Sequence, residues 1–301
     1  MAMHPVLARG LDKSPPMTPV AATDRVIEGA DGQPLGVRIY RNADLAADVT
    51  TPAVVWFHGG GFVMGDLETD DSLCRTIAER IGAVVVSVDY RLAPEHPFPA
   101  GVEDCYRSLC WVAGHSAELT VDPSRLAVGG TSAGGGLAAA VALMTRDRGG
   151  PRLTFQFLGF PMLDDDADTW SMRQHCDPRV WDADACRRSW ALYLGPIDGP
   201  PSPYAAPARA PDLADLAPAY VLVHELDPLA DEDVAYATRL RRAGVATGVH
   251  VVPGVWHGFS AFVPWLPLAR RATDRWIEAM GEALDRDDRG RAEGRSNAQS
   301  G

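Results

Sequence analysis

No stretch of the 301 residues is apolar for long enough to cross a bilayer. The longest candidate, Gly134 to Met144, is about half of what a membrane helix requires, and it reads as a buried helix. The first residues carry no leader signal either. Met1 to Val20 has no apolar core behind a basic start and contains Pro5, Pro15, Pro16 and Pro19, so no secretory leader is expected. CxxC pairs are missing. The five cysteines (Cys74, Cys105, Cys110, Cys176 and Cys186) are odd in number and scattered, which argues against a disulfide framework. They read as reduced thiols of a cytoplasmic protein, acting as small buried apolar groups. Cysteine and histidine spacings offer no zinc site, and neither metal nor organic cofactor is expected. Positive charge is scarce: 28 Lys and Arg against 40 Asp and Glu leave a net charge of −12. That balance argues against nucleic acid or an anionic membrane surface as a partner. Fixed-period repeats are absent, and neither GxxxxGK[ST] nor GxGxxG occurs, which disfavours a phosphate loop.

What remains is an ordinary globular composition, 46% hydrophobic and 23% charged, able to bury a sizeable core. The order of elements is informative. Arg25–Gly29 and Leu35–Arg41 flank the Asp31-Gly32 turn as an early hairpin. Ala53–Phe57 and Ala83–Val88 read as buried strands, and Arg125–Val128, Phe155–Phe160, Tyr220–Val223 and Thr247–Val252 as further strands. Thr69–Ile81, Gly101–Val112, Ala133–Thr145, Asp231–Ala243 and Leu268–Leu284 read as helices between or after them. Continuous apolar strands alternating with helices imply an α/β fold, with a mostly parallel sheet covered on both faces. Asp164–Asp215 does not fit: it has many prolines, Trp170, Trp181 and Trp190, and no buried strand. An insertion of this kind is a natural cap over a site. Its charge (Asp164, Asp165, Asp166, Asp168, Arg173, Asp177, Arg179, Asp182 and Asp184) favours a soluble substrate over an interfacial lipid. The tryptophans read as core packing within the cap, with the acyl pocket as the alternative. Residues 285–301 are charged, then rich in Gly, Ser and Asn, and read as a disordered tail.

Gly130-Thr131-Ser132-Ala133-Gly134 is a GxSxG match between a strand and a helix. The sharp turn that lifts a serine above a sheet needs small residues on either side, and Ser132 is the candidate nucleophile. His58-Gly59-Gly60-Gly61 follows the first buried strand. Its glycines let the main chain approach a ligand and aim N–H groups at a developing negative oxygen. Gly59 and Gly60, with Ala133, are the expected oxyanion donors, and His58 braces their loop. A base must follow the serine and an intervening acid. His175 lies in the insertion, His224 precedes every plausible acid, and His250 lies inside a strand. His257, in a loop just after that strand, is the candidate base. Asp227 follows strand Tyr220–Val223 at the distance a carboxylate needs to reach it. Asp231 is read instead as the N-cap of the next helix, and Glu225 as a loop or surface acid. With these roles Ser132 attacks an ester carbonyl, His257 moves the proton, and Asp227 fixes the imidazole.

These residues and motifs (HGGG at 58–61, DYRLAPEHPFPA at 89–100, GTSAGG at 130–135, DPLAD at 227–231 and HGF at 257–259) resemble the hormone-sensitive-lipase-like esterases, the bacterial family IV lipolytic enzymes. GTSAG in place of GDSAG resembles the branch known by that motif. The resemblance implies an α/β-hydrolase fold: an eight-stranded, mostly parallel sheet flanked by helices under a helical cap. It divides the chain into an N-terminal cap contribution with the first strands (1–50), core (51–163), cap insertion (164–215), core (216–284) and tail (285–301). It implies that Asp227, first aspartate of the DPLxDE motif, is the triad acid. It also implies that the substrate is a small ester of a short to medium acyl chain, and that residues 90–100 are structural. Members are often dimers, so the resemblance allows a homodimer, although no segment specifies an interface. Two rival functions keep the same fold: a non-catalytic small-ligand receptor, which would lack the histidine, and an amidase or lactonase using the same triad.

Overall fold

The computed structural model describes residues 19–46 and 48–298, with side chains described through residue 285. The leader reading and most of the N-terminal cap contribution fall on residues 1–18, outside the described residues. The chain opens on a hairpin, β1 (Val20–Glu28) and β2 (Pro34–Asn42). β3 (Thr51–Phe57), α1 (Asp71–Ile81), β4 (Val84–Asp89), α2 (Ala100–Gly114), α3 (Ser116–Leu119) and β5 (Val121–Thr131) follow. Next come α4 (Ala133–Asp147), β6 (Phe155–Gly159), α5 (Trp170–Gln174) and α6 (Ala183–Leu194). The chain closes with β7 (Ala219–Leu226), α7 (Ala230–Arg242), β8 (Thr247–Trp256), α8 (Phe259–Phe262) and α9 (Pro267–Ala298). The spacing ended α9 at Leu284 and expected an irregular tail, whereas the backbone continues helical to Ala298.

One eight-stranded sheet runs in the order β1-β2-β4-β3-β5-β6-β7-β8. β1 and β2 pair antiparallel, as do β2 and β4, and every later neighbour is parallel. The expected architecture is therefore present. β3 shows why its apolar run is continuous. All seven residues are buried, but Ala53, Val55 and Phe57 join the core on one face while Val54 and Trp56 join the other. Alternate side chains point to opposite faces, so a strand covered on both sides must be apolar throughout. Leu109 of α2, Leu137 of α4 and Leu240 of α7 fill the first face; Ile77 of α1 with Trp276 and Met280 of α9 fill the second. Trp56 stacks at 5.8 Å on Phe157 and at 5.9 Å on Trp276, which ties β3, β6 and α9 together.

Parallel strands put their carboxyl ends on one edge, where ligands of open α/β sheets bind. β3, β5, β7 and β8 end there at Phe57, Thr131, Leu226 and Trp256. The next residue in each case is His58, Ser132, Asp227 and His257. Between β6 and β7 the insertion packs into the first-face core through Met172, Cys186 and Trp190, and its N–H groups donate hydrogen bonds to α7 carboxylates, described below. No helix among the described residues is long and apolar enough to cross a membrane.

Candidate active site

β5 passes into α4 with no spare residue, and the turn is as sharp as the motif requires. Ser132 has φ 55° and ψ −120°, a region that residues with side chains rarely enter. The neighbouring glycines are demanded by contact. A methyl group at Gly134 would lie 2.0 Å from the Phe57 carbonyl oxygen, and one at Gly130 would lie 2.5 Å from the same atom. The start of α4 is thus pressed onto the end of β3. The strained turn is held by the Ser132 N–H donating to Gly159 O at 2.7 Å and by its carbonyl accepting from Gly136 and Met162 at 3.0 Å.

The three distant side chains meet. Ser132 Oγ lies 2.9 Å from His257 Nε2, and His257 Nδ1 lies 2.7 Å from Asp227 Oδ2. All three are buried, Asp227 completely. The other oxygen of Asp227 accepts from the Leu229 N–H at 3.0 Å. Phe160 sits edge-on to the His257 ring at 5.1 Å, and Trp181 stacks over it at 5.7 Å.

The acids that follow have different work. Asp231 was expected to cap its own helix. Instead α7 begins at Ala230, and the Asp231 carboxylate accepts from the Ser171 N–H at 2.8 Å, while Ser171 Oγ accepts from the Asp231 N–H at 3.1 Å. It therefore fastens α5 rather than capping α7. Glu232 Oε1 accepts from the N–H groups of Leu163 and Asp164, at 2.8 and 3.2 Å, where the insertion begins. Burial pushes Glu232 and its neighbour Asp233 well above the usual carboxyl range, favouring their neutral forms beside Asp227. Glu225 braces a loop, accepting from the Gly254 N–H at 2.7 Å.

The glycine loop requires one correction. Gly59 lies against the serine turn, its α-carbon environment reaching Thr131 O and Ser132 Cβ. Its main chain, however, hydrogen-bonds the buried carboxyl of Asp70, which also accepts from Trp56 Nε1 at 2.8 Å. Of the expected donors Gly59, Gly60 and Ala133, the first is therefore already engaged. No hydrogen bond among the described residues takes the N–H of Gly60, Gly61 or Ala133. Gly60 has φ 128° and Gly61 φ 61°, and a tight turn closes over them as Val63 and Met64 donate to Gly60 O at 3.1 Å. His58 braces the loop, as expected: it is fully buried, its Nδ1 lies 2.8 Å from Gly59 O, and burial holds the ring below the usual imidazole range. Tyr90 stacks on it at 4.3 Å and donates to its carbonyl at 2.8 Å, so the 90–100 segment supports this loop from behind.

His175 and His250 stand away from the site, edge-on to Trp170 and 3.2 Å from Arg275 Nη1 respectively. His224 is closer. It is fully buried, stacked on Phe160 at 4.4 Å, with Nε2 3.2 Å from Ser260 Oγ, a link that ties β7 to the segment just after His257. Burial pushes its imidazole down to about 3. A group that binds protons more weakly when folded takes one up on unfolding, so it erodes stability as pH falls below the free imidazole value near 6.5. Between pH 7.5 and 5 the protein should lose about 2 kcal/mol more stability than its His224→Asn variant. Urea unfolding at both pH values checks this, and equal losses would mean that the buried ring is not kept neutral.

The three insertion tryptophans divide. Trp190 is buried against Phe62 at 5.2 Å, Trp170 is exposed, and Trp181 faces His257. Trp190 is thus core, Trp181 packs against that core while facing the site, and Trp170 does neither. Of the cysteines, Cys74, Cys105 and Cys186 are buried as expected, whereas Cys110 is half-buried and Cys176 exposed; all five are unpaired. Among the described residues no group of three or more His, Cys, Asp or Glu could hold a metal ion.

Residues 54–261 match a family model described as the alpha/beta hydrolase fold. The chain is 42% identical over 278 residues to the esterase LipI of Mycobacterium tuberculosis, covering 92% of this chain and 86% of the relative. It is 39% identical over 280 residues to the carboxylesterase NlhH of the same organism, covering 92% and 87%. Among solved structures, a hyperthermophilic esterase from the archaeon Pyrobaculum calidifontis superposes with a TM-score of 0.83 at 40% identity, covering 92% of this chain and 89% of that one. Sheet order, strand-exit residues and these likenesses agree: the chain belongs to the α/β-hydrolase family, within its hormone-sensitive-lipase-like group.

Proposed function

We propose that the protein hydrolyses small carboxylic esters of short to medium acyl chains through an acyl-enzyme on Ser132. The observation that carries the reading is the unbroken relay from Asp227 through His257 to Ser132, with spacings of 2.7 and 2.9 Å. In it the His257 Nδ1–H donates to Asp227, which leaves Nε2 free to accept the Ser132 proton as Oγ attacks the carbonyl carbon. The carbonyl oxygen turns negative next to the N–H groups of Gly60 and Ala133, with Gly61 in the place expected of Gly59. His257 then protonates the departing alcohol as the C–O bond breaks, and water repeats both steps on the acyl-enzyme. Asp227, buried and doubly hydrogen-bonded, stabilises the imidazolium without taking its proton.

We read 164–215 as a cap over this edge of the sheet. Five free thiols support a cytoplasmic setting. A fluorophosphonate probe should label the folded protein at Ser132, and p-nitrophenyl butyrate should be turned over and protect against labelling. A folded protein that neither reacts with the probe nor hydrolyses the ester would favour a receptor on the same scaffold.

A further inference from the structure

Three features of Trp181 have no part in the relay. Its ring lies over His257 at 5.7 Å between centroids and 30° between planes. Its far edge presses on the glycine loop: a methyl group at Gly61 would stand 2.4 Å from Trp181 Cη2 and 2.7 Å from Ser189 Oγ. Its Nε1–H donates to the thiol of Cys186 at 2.9 Å, on the buried side of α6. One flat side chain therefore spans from the oxyanion loop to the base. It is pinned at the indole nitrogen and admitted at the loop only because residue 61 has no side chain.

Stereochemistry says what such a wall meets. The tetrahedral carbon formed on Ser132 carries four groups. One is the serine oxygen and one is the oxyanion, held by the loop and Ala133. The leaving oxygen must come within hydrogen-bond reach of His257 Nε2, because that nitrogen delivers its proton. The acyl chain takes the remaining direction, away from the base. A ring laid on the imidazole and abutting the glycine loop thus borders the alcohol half of the ester.

We propose that Trp181 is the wall of the leaving-alcohol subsite and sets how bulky an alcohol the ester carries. The acyl chain is not its concern. This rests on the ester-hydrolase reading above. The wall works by exclusion: a branched or cyclic alcohol must displace a ring anchored at two ends. Discrimination of this kind amounts to about 10- to 200-fold for small differences in bulk.

The test uses the full chain and its variants Trp181→Ala and Trp181→Phe, with circular dichroism to confirm folding. One substrate series fixes the acyl group and varies the alcohol: methyl, isopropyl and cyclohexyl acetate. The other fixes the alcohol and varies the acyl group: methyl acetate, butyrate and octanoate. In Trp181→Ala the ratio of kcat/KM for cyclohexyl over methyl acetate should rise at least tenfold, on the scale of such steric discrimination. The octanoate-to-acetate ratio should move by less than about twofold, since that half of the ester lies elsewhere. Trp181→Phe, which keeps a ring but loses the anchor to Cys186, should fall between. An unchanged alcohol ratio, or an acyl ratio that shifts as much, overturns the proposal while leaving esterase activity established. A wild-type protein inactive on both series overturns the underlying reading itself.

Discussion

Ser132→Ala should lower ester hydrolysis by about 10⁶-fold and leave the protein folded. The loss is large because members of such a relay act as a unit: without the nucleophile, the base and its acid have nothing to activate. The fold should survive because little of it depends on Oγ. The backbone contacts that hold the turn, from the Ser132 N–H to Gly159 O and from Gly136 and Met162 to its carbonyl, persist in alanine. The β-carbon, which sets the strain at φ 55°, is the same in both residues. The single contact removed is the 2.9 Å link to His257, worth about 1 kcal/mol to stability. Turnover of p-nitrophenyl butyrate and a thermal melt measure the two quantities side by side. Retention of more than about 1% of the rate by a well-folded variant would show that another group attacks, since loss of the nucleophile leaves far less than that.

Asp227→Asn should cost about 10⁴-fold in turnover at neutral pH, and the reason can be read from its two partners. One carboxylate oxygen accepts from His257 Nδ1 and the other from the Leu229 N–H. An asparagine has one acceptor and one NH₂. If the acceptor keeps Leu229 satisfied, the NH₂ faces Nδ1 and forces the imidazole proton onto Nε2. That tautomer can no longer take the Ser132 proton. If the amide flips, the buried Leu229 N–H confronts an NH₂ and loses its partner, at about 1–3 kcal/mol. The backbone therefore selects the unproductive arrangement. Asp231→Asn makes the comparison decisive. Asp231 serves the Ser171 N–H rather than the imidazole, and asparagine still offers one acceptor there, so less than about tenfold should be lost. If Asp231→Asn proved the more damaging of the two, the assignment of the acid would be wrong.

Much of this was legible because single-residue chemistry and strand position coincide. Ala53–Phe57 announced a strand buried on both faces, and β3 is one. GxSxG announced a strand-to-helix turn, and contact at Gly130 and Gly134 explains the spacing atom by atom. His257 and Asp227 were reachable by order and by their places after strands. What escaped depends on partners remote in sequence. Gly59 and Gly61 are equivalent as letters; only Asp70, brought under the loop by α1, engages the former. Asp231 stands where a helix cap belongs, yet its partner Ser171 lies 60 residues earlier. Trp181, Trp190 and Trp170 look alike in a proline-rich insertion without periodicity, and only packing separates the residue over the base from the one in the core and the one in solvent.

Placing the reacting groups on separate strand exits has a consequence for the life of the chain. The serine precedes its histidine by 125 residues, and β6, β7 and β8 must all have joined the sheet before the two can touch. On the proposed mechanism, a half-assembled molecule in which β8 has not yet docked displays a Ser132 hydroxyl with no base beside it, and that hydroxyl is inert toward esters. If Ser132 and His257 carry the reaction as proposed, turnover counts only molecules whose final strand has docked and so gauges completed assembly.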